Sequence, residues 1–151
     1  MTHTQTATFA VVFVAFYAAH MVADHWVQTQ WQADHKGHPG WIGRTACAAH
    51  VLTYTYTTLA AVGLAVWRLD LDLAYGNLAA GLAISAVSHY IADRRTPLRR
   101  IAKLTGSGRF YTLGTPRPGK DDNPSLGTGA YALDQSWHIG WLFLSALVVA
   151  G

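Results

Sequence analysis

Residues 6–30 read TATFAVVFVAFYAAHMVADHWVQTQ. From Met1 to Ala23 there is no Asp, Glu, Lys or Arg, and the first charge, Asp24, stands four residues after His20. A surface helix of a soluble domain needs a charged face. An uncharged run of this length instead matches a bilayer core of roughly 30 Å, which about 20 residues cross as a helix. Thr45–Trp67, Leu73–Ala92 and Gln135–Gly151 are equally free of charge. The charged residues, 11 basic and 8 acidic, fall in three blocks between these runs, over residues 24–44, 68–72 and 93–134. The pattern predicts an all-α integral membrane bundle of four transmembrane helices in one domain, over about 6–30, 44–67, 73–94 and 131–150. A long loop, 95–130, joins helices 3 and 4.

The first span lacks a basic segment ahead of its apolar stretch and a small-residue cleavage site, so it reads as a retained helix rather than a secretory signal. Pro97–Leu104 has the character of a short amphipathic helix on the membrane surface, followed by a loop rich in Gly and Pro, with Gly106, Gly108, Gly114, Pro116, Pro118, Gly119 and Pro124. Such a loop is a candidate lid. With four antiparallel spans, one side holds Lys36, Arg44, Arg94, Arg95, Arg99, Arg100, Lys103, Arg109, Arg117 and Lys120, and the other only Arg68. Positive charge marks the cytoplasmic side. The expected topology is therefore multi-pass in a bacterial inner membrane, with loops 31–43 and 95–130 cytoplasmic and both termini outside. The net charge of +3 is explained by topology and anionic lipid, so lipids are the expected partners and nucleic acid is not. A homo-oligomer stays open.

The polar residues inside the uncharged runs are the second signal. Helix 1 carries His20-x-x-x-Asp24, helix 2 His50, helix 3 His89-x-x-x-Asp93 and helix 4 Asp134-x-x-x-His138. A spacing of four puts each pair on one helical face, about 6 Å apart along the axis. Because alternate helices run in opposite directions, each Asp lies nearer the cytoplasmic end, with its His one turn deeper and His50 at the same depth. Ionisable residues in a bilayer are costly and face partners in the bundle interior. Imidazole and carboxylate suit zinc first, with manganese or iron as alternatives. The pattern predicts a divalent metal site of one or two ions held by His20, Asp24, His50, His89, Asp93, Asp134 and His138.

Around these ligands, His25 and Gln28 are candidate supporting residues, and Arg94, Arg95 and Arg99 candidate phosphate contacts. Asp134 or Asp24 is the candidate general base. The plain alternative is a hydrogen-bonded polar layer that only holds the helices together. Lone Cys47, in an apolar run, reads as a packed small residue. Thr53, Thr55, Thr57 and Thr58 read as side chains bonded back to helical carbonyls, and the six Trp as interface anchors.

In its pairs His20-x-x-x-Asp24-x-x-x-Gln28, His50 and His89-x-x-x-Asp93, the chain resembles an uncharacterised family of small bacterial and phage integral membrane proteins. That resemblance implies a helical membrane bundle and no established activity. The His/Asp helices are also similar to membrane-bound metal-dependent hydrolases and, more distantly, to the all-helical zinc phospholipase C and related zinc nucleases. This implies metal-assisted phosphoester hydrolysis, although the Glu-containing pair of those enzymes has no counterpart in a chain without Glu. The expected function is a membrane-embedded metal-dependent hydrolase acting on a phosphoester or lipid-like substrate at the cytoplasmic face. Transport or binding of a metal ion or proton, b-type haem binding by two to four of His20, His50, His89 and His138, and a non-enzymatic structural role are the alternatives.

Overall fold

A computed structural model describes residues 2–120, 122 and 127–151; Pro124 of the candidate lid lies outside them. The described residues are all-helical apart from turns and connectors. Four long helices carry the fold: α1 (His3–Val22), α3 (Gly40–Leu69), α4 (Tyr75–Asp93) and α7 (Gly129–Ala150). The helix α1 packs against α3 and α7, and α4 against α3 and α7, so the four close a ring. Short helices α2 (Gln30–His35), α5 (Thr96–Leu104) and α6 (Gly108–Tyr111) gather at one end.

Each long helix buries a stripe at spacings of three and four. On α1 it runs Thr8, Val12, Phe16, Ala19, His20, and on α3 Gly43, Ala46, Cys47, His50, Tyr54, Thr58, Val62. The stripes on α4 and α7 are built largely from small residues, including Gly81, Ser85, Ser145 and Ala146. Backbones approach closely there: a Cβ on Gly81 would collide with Val149 and come within 2.9 Å of the Ser145 carbonyl. The interior therefore has two storeys. Val12, Phe16, Tyr54, Val62, Leu142, Ala146 and Val149 form an apolar core. The four histidines sit beside it, wholly buried.

Helix 1 was expected to run unbroken to Gln30, but it ends in a π-helical turn, Ala23–Val27, closed by the Gln28 N–H donating to the Ala23 carbonyl at 2.8 Å. Gln28 (φ −59°, ψ 126°) leaves the helix, and Thr29 then starts α2 with a reciprocal cap, its hydroxyl accepting from Gln32 N–H while the Gln32 side chain accepts from Thr29 N–H. Single π turns often mark functional sites, and this one carries Asp24. At the far end α3 stops at Asp70, whose left-handed backbone (φ 51°) turns the chain into α4.

By length and composition, two helices can cross a membrane, His3–Val27 and Gly40–Leu69. The other two long helices carry Asn77, His89 and Asp93 on α4 and Asp134, Gln135 and His138 on α7. These polar side chains, most of them in or beside the site, lower the hydropathy by which a span is recognised.

Candidate metal centre

Each long helix delivers one histidine to a common centre. The His50 and His89 Nε2 atoms lie 3.0 Å apart. His20 stacks on His138 with ring centroids at 4.7 Å, and His89 lies edge-on to both at 5.6 and 4.3 Å. The Tyr54 ring stacks on His89 at 4.1 Å, while its hydroxyl shares a 2.5 Å hydrogen bond with Ser85, so packing fixes the ring that supplies Nε2. On α7 the His138 Nδ1 lies 2.8 Å from the Asp134 backbone carbonyl, to which it donates. Its Nε2 lone pair then points away from that bond.

Two aspartates close on the same centre. Asp24 Oδ1 is 3.4 Å from His50 Nε2 and 3.6 Å from His89 Nε2; Asp93 Oδ2 is 3.3 Å from each. His50 Nε2, His89 Nε2 and Asp93 Oδ2 thus form a triangle with edges of 3.0 to 3.3 Å, and Asp24 Oδ1 lies against its two nitrogens at 3.4 and 3.6 Å. Zinc bonds of 2.0–2.2 Å in a tetrahedron have ligand-to-ligand edges of roughly 3.3–3.6 Å. Asp24 Oδ1 and Asp93 Oδ2 make no hydrogen bond among the described residues, nor do His138 Nε2 or either nitrogen of His20. Buried polar atoms are otherwise almost always satisfied, so this donor set is suited to a cation. Two further groups, His20–Asp24–His89 and Asp93–Asp134–His138, also bring ligand atoms within 4.8 Å of one another. His89 and Asp93 each belong to two of the three sets, the arrangement a second ion would use.

The seven residues expected as ligands are therefore brought together. A cavity of about 650 Å³ opens beside them, lined by Asp24, Asp93 and Asp134 but by none of the four histidines. The aspartates face the cavity and the histidines stand behind. His25 lines the cavity with Nδ1 bound to the Met21 carbonyl at 2.8 Å, and Gln28 lines it with a buried Nε2 that makes no hydrogen bond among the described residues.

The arginines separate. Arg95 lines the cavity. Arg94 instead donates through Nη1 to the Lys36 carbonyl at 2.6 Å and through Nη2 to the His38 carbonyl at 2.7 Å, tying down the first connector. Arg99 is exposed on α5 and does not line the cavity. Lys36, read from the sequence only as a topology charge, places Nζ 2.9 Å from Asp93 Oδ1. Tyr131 and Gln135 also line the cavity. Tyr131 lies three residues before Asp134, a same-face spacing that was a usable signal; nothing local marked Lys36.

The polar constellation spans α1 to α7, and a family match extends over residues 12–150. The chain belongs to the family described as protein of unknown function (DUF3307). All seven His and Asp of the centre fall inside the matched region of this DUF3307 protein. No curated protein and no solved structure matches it.

Proposed function

We propose that this protein is a membrane-embedded hydrolase that uses one or two divalent cations, zinc first, on a phosphoester or lipid-like substrate at the cytoplasmic face. The observation that carries the reading is the buried triangle of His50 Nε2, His89 Nε2 and Asp93 Oδ2, with edges of 3.0 to 3.3 Å and with Asp24 Oδ1 at 3.4 and 3.6 Å from its two nitrogens, beside an open cavity. A divalent cation would lower the pKa of its water toward about 7 and polarise a phosphoryl oxygen. Asp134, partly exposed at the cavity, is better placed than Asp24 to take the proton, because Asp24 Oδ1 is buried against His50 and His89.

Four spans are supported by where the apolar surface lies. The helices α4 and α7 bury His89, Asp93, Ser85, Ser145 and His138, while Val87 (60 %), Phe143 (44 %) and Leu144 (45 %) face outward. A polar inside with an apolar outside fits lipid as the solvent. The basic residues of the 31–43 and 95–130 connectors then define the cytoplasmic side. A polar layer that only joins helices is favoured by one feature, the 3.0 Å imidazole contact, which one N–H can fill as a hydrogen bond. Haem is the less suited alternative, since ring centroids at 4.3–5.6 Å leave no flat slot for a porphyrin.

Elemental analysis of the purified protein for Zn, Mn, Fe and Cu tests the reading, together with hydrolysis of a chromogenic phosphate ester. The expected result is one or two bound ions and turnover, both abolished by Asp93→Ala. Metal-free protein whose melting is indifferent to chelator would leave the polar layer as the better account.

A further inference from the structure

We infer that Lys36 and Arg95, which line this cavity, form a phosphate-binding site, and that it accepts its anion only once a divalent cation fills the histidine centre. The inference rests on the metal reading proposed above. Three aspartates and two fixed cations, Lys36 and Arg95, meet at this cavity. Without a metal the balance is negative, and Lys36 Nζ is held 2.9 Å from Asp93 Oδ1. A divalent ion bound through the other oxygen of Asp93 reverses the balance. The Lys36 ammonium, no longer the sole countercharge of Asp93, then has a side chain 12 % exposed and facing an anion.

The chain holds both cations in place at a cost. Arg95 has φ 57° and ψ −46° between α4 and α5, a backbone state that a residue with a Cβ rarely adopts and that persists only where the surroundings impose it. Its side chain lies across Gly37, where a Cβ would come within 2.8 Å of Arg95 Cδ. The neighbouring Arg94 pins the carbonyls on either side of Gly37, those of Lys36 and His38. One arginine thus anchors the segment that carries Lys36, and the next lies over that segment into the cavity. Among the described residues Arg95 forms no ion pair. The ligand chemistry is a phosphate group. It belongs either to a lipid headgroup or to a soluble ester.

The test uses the full chain in phosphatidylcholine nanodiscs and measures zinc uptake and binding of radiolabelled inorganic phosphate, with and without zinc. Wild type should take up zinc and bind phosphate only when loaded. Lys36→Met and Arg95→Met should each weaken phosphate binding about tenfold or more while keeping zinc. Lys36→Arg should restore it, and Arg99→Met should leave it unchanged. Displacement by phosphatidic acid added to the nanodisc identifies a lipid phosphate, and displacement by glycerol phosphate a soluble one; displacement by neither overturns the inference. Zinc uptake with phosphate binding untouched in both Lys36→Met and Arg95→Met overturns it alone. A wild-type protein that takes up no zinc overturns the metal reading as well.

Discussion

His50 on α3 and His89 on α4 bring their Nε2 atoms to 3.0 Å inside the bundle, toward the end where α4 stops, with Asp93 Oδ2 at 3.3 Å from both. Two imidazoles and a carboxylate at this separation share either protons or a cation. If a cation, its binding free energy is added to that of folding. Zinc at 100 times its Kd should raise stability by about 2.7 kcal/mol. A thermal shift on zinc addition, reversed by chelator and absent in the His50→Ala/His89→Ala double variant, is the expected outcome. Equal shifts in wild type and double variant would place the ion elsewhere.

Asp93 joins two environments, the histidine pair through Oδ2 and Lys36 through Oδ1. In metal-free protein Asp93→Asn leaves Lys36 without its countercharge in a largely buried position. Removing one partner of such a pair costs about 3 kcal/mol. Denaturant unfolding in mild detergent should show this loss, and Lys36→Met/Asp93→Asn should recover part of it.

The close contact of α4 with α7 gives a contrast between two glycines. Gly81→Ala drives a methyl into Val149 and the Ser145 carbonyl and should destabilise by about 1–3 kcal/mol. Gly63→Ala, with nothing within 4 Å of the new Cβ in the interior of α3, should instead stabilise by about 0.5–1 kcal/mol. Thermal melts of the two variants with opposite shifts are expected; matching shifts would contradict the packing.

Topology is readable by thiol labelling because the one native cysteine, Cys47, is fully buried and its Sγ lies 3.7 Å from the Tyr90 carbonyl. Thr115→Cys, in the long connector, should react with an impermeant maleimide only after the cytoplasmic side is opened. Asp72→Cys, between α3 and α4, should react from outside. The reverse order would invert the proposed orientation.

Much of this was legible before any coordinate. The uncharged runs gave the four long helices, since a chain that avoids charge for about 20 residues is written for burial or lipid. Spacing of four placed His20 with Asp24, His89 with Asp93 and Asp134 with His138, because helical geometry puts such residues on one face whatever surrounds the helix. The back-bonding of Thr53, Thr55, Thr57 and Thr58 to carbonyls three or four residues earlier follows from the same local rule.

What no local rule contains is the rotation and depth of one helix relative to another. Only tertiary packing decides that His50 and His89 meet nitrogen to nitrogen, that the π turn sets Asp24 against both, and that Lys36 reaches Asp93 from 57 residues earlier. It also divides the arginines: Arg94 and Arg95 are adjacent in sequence, yet one is spent on backbone carbonyls and the other faces the cavity, because the chain breaks between α4 and α5 at a positive φ. Helical faces are set by covalent geometry over four residues. The meeting of faces is set by which small side chains let two backbones approach.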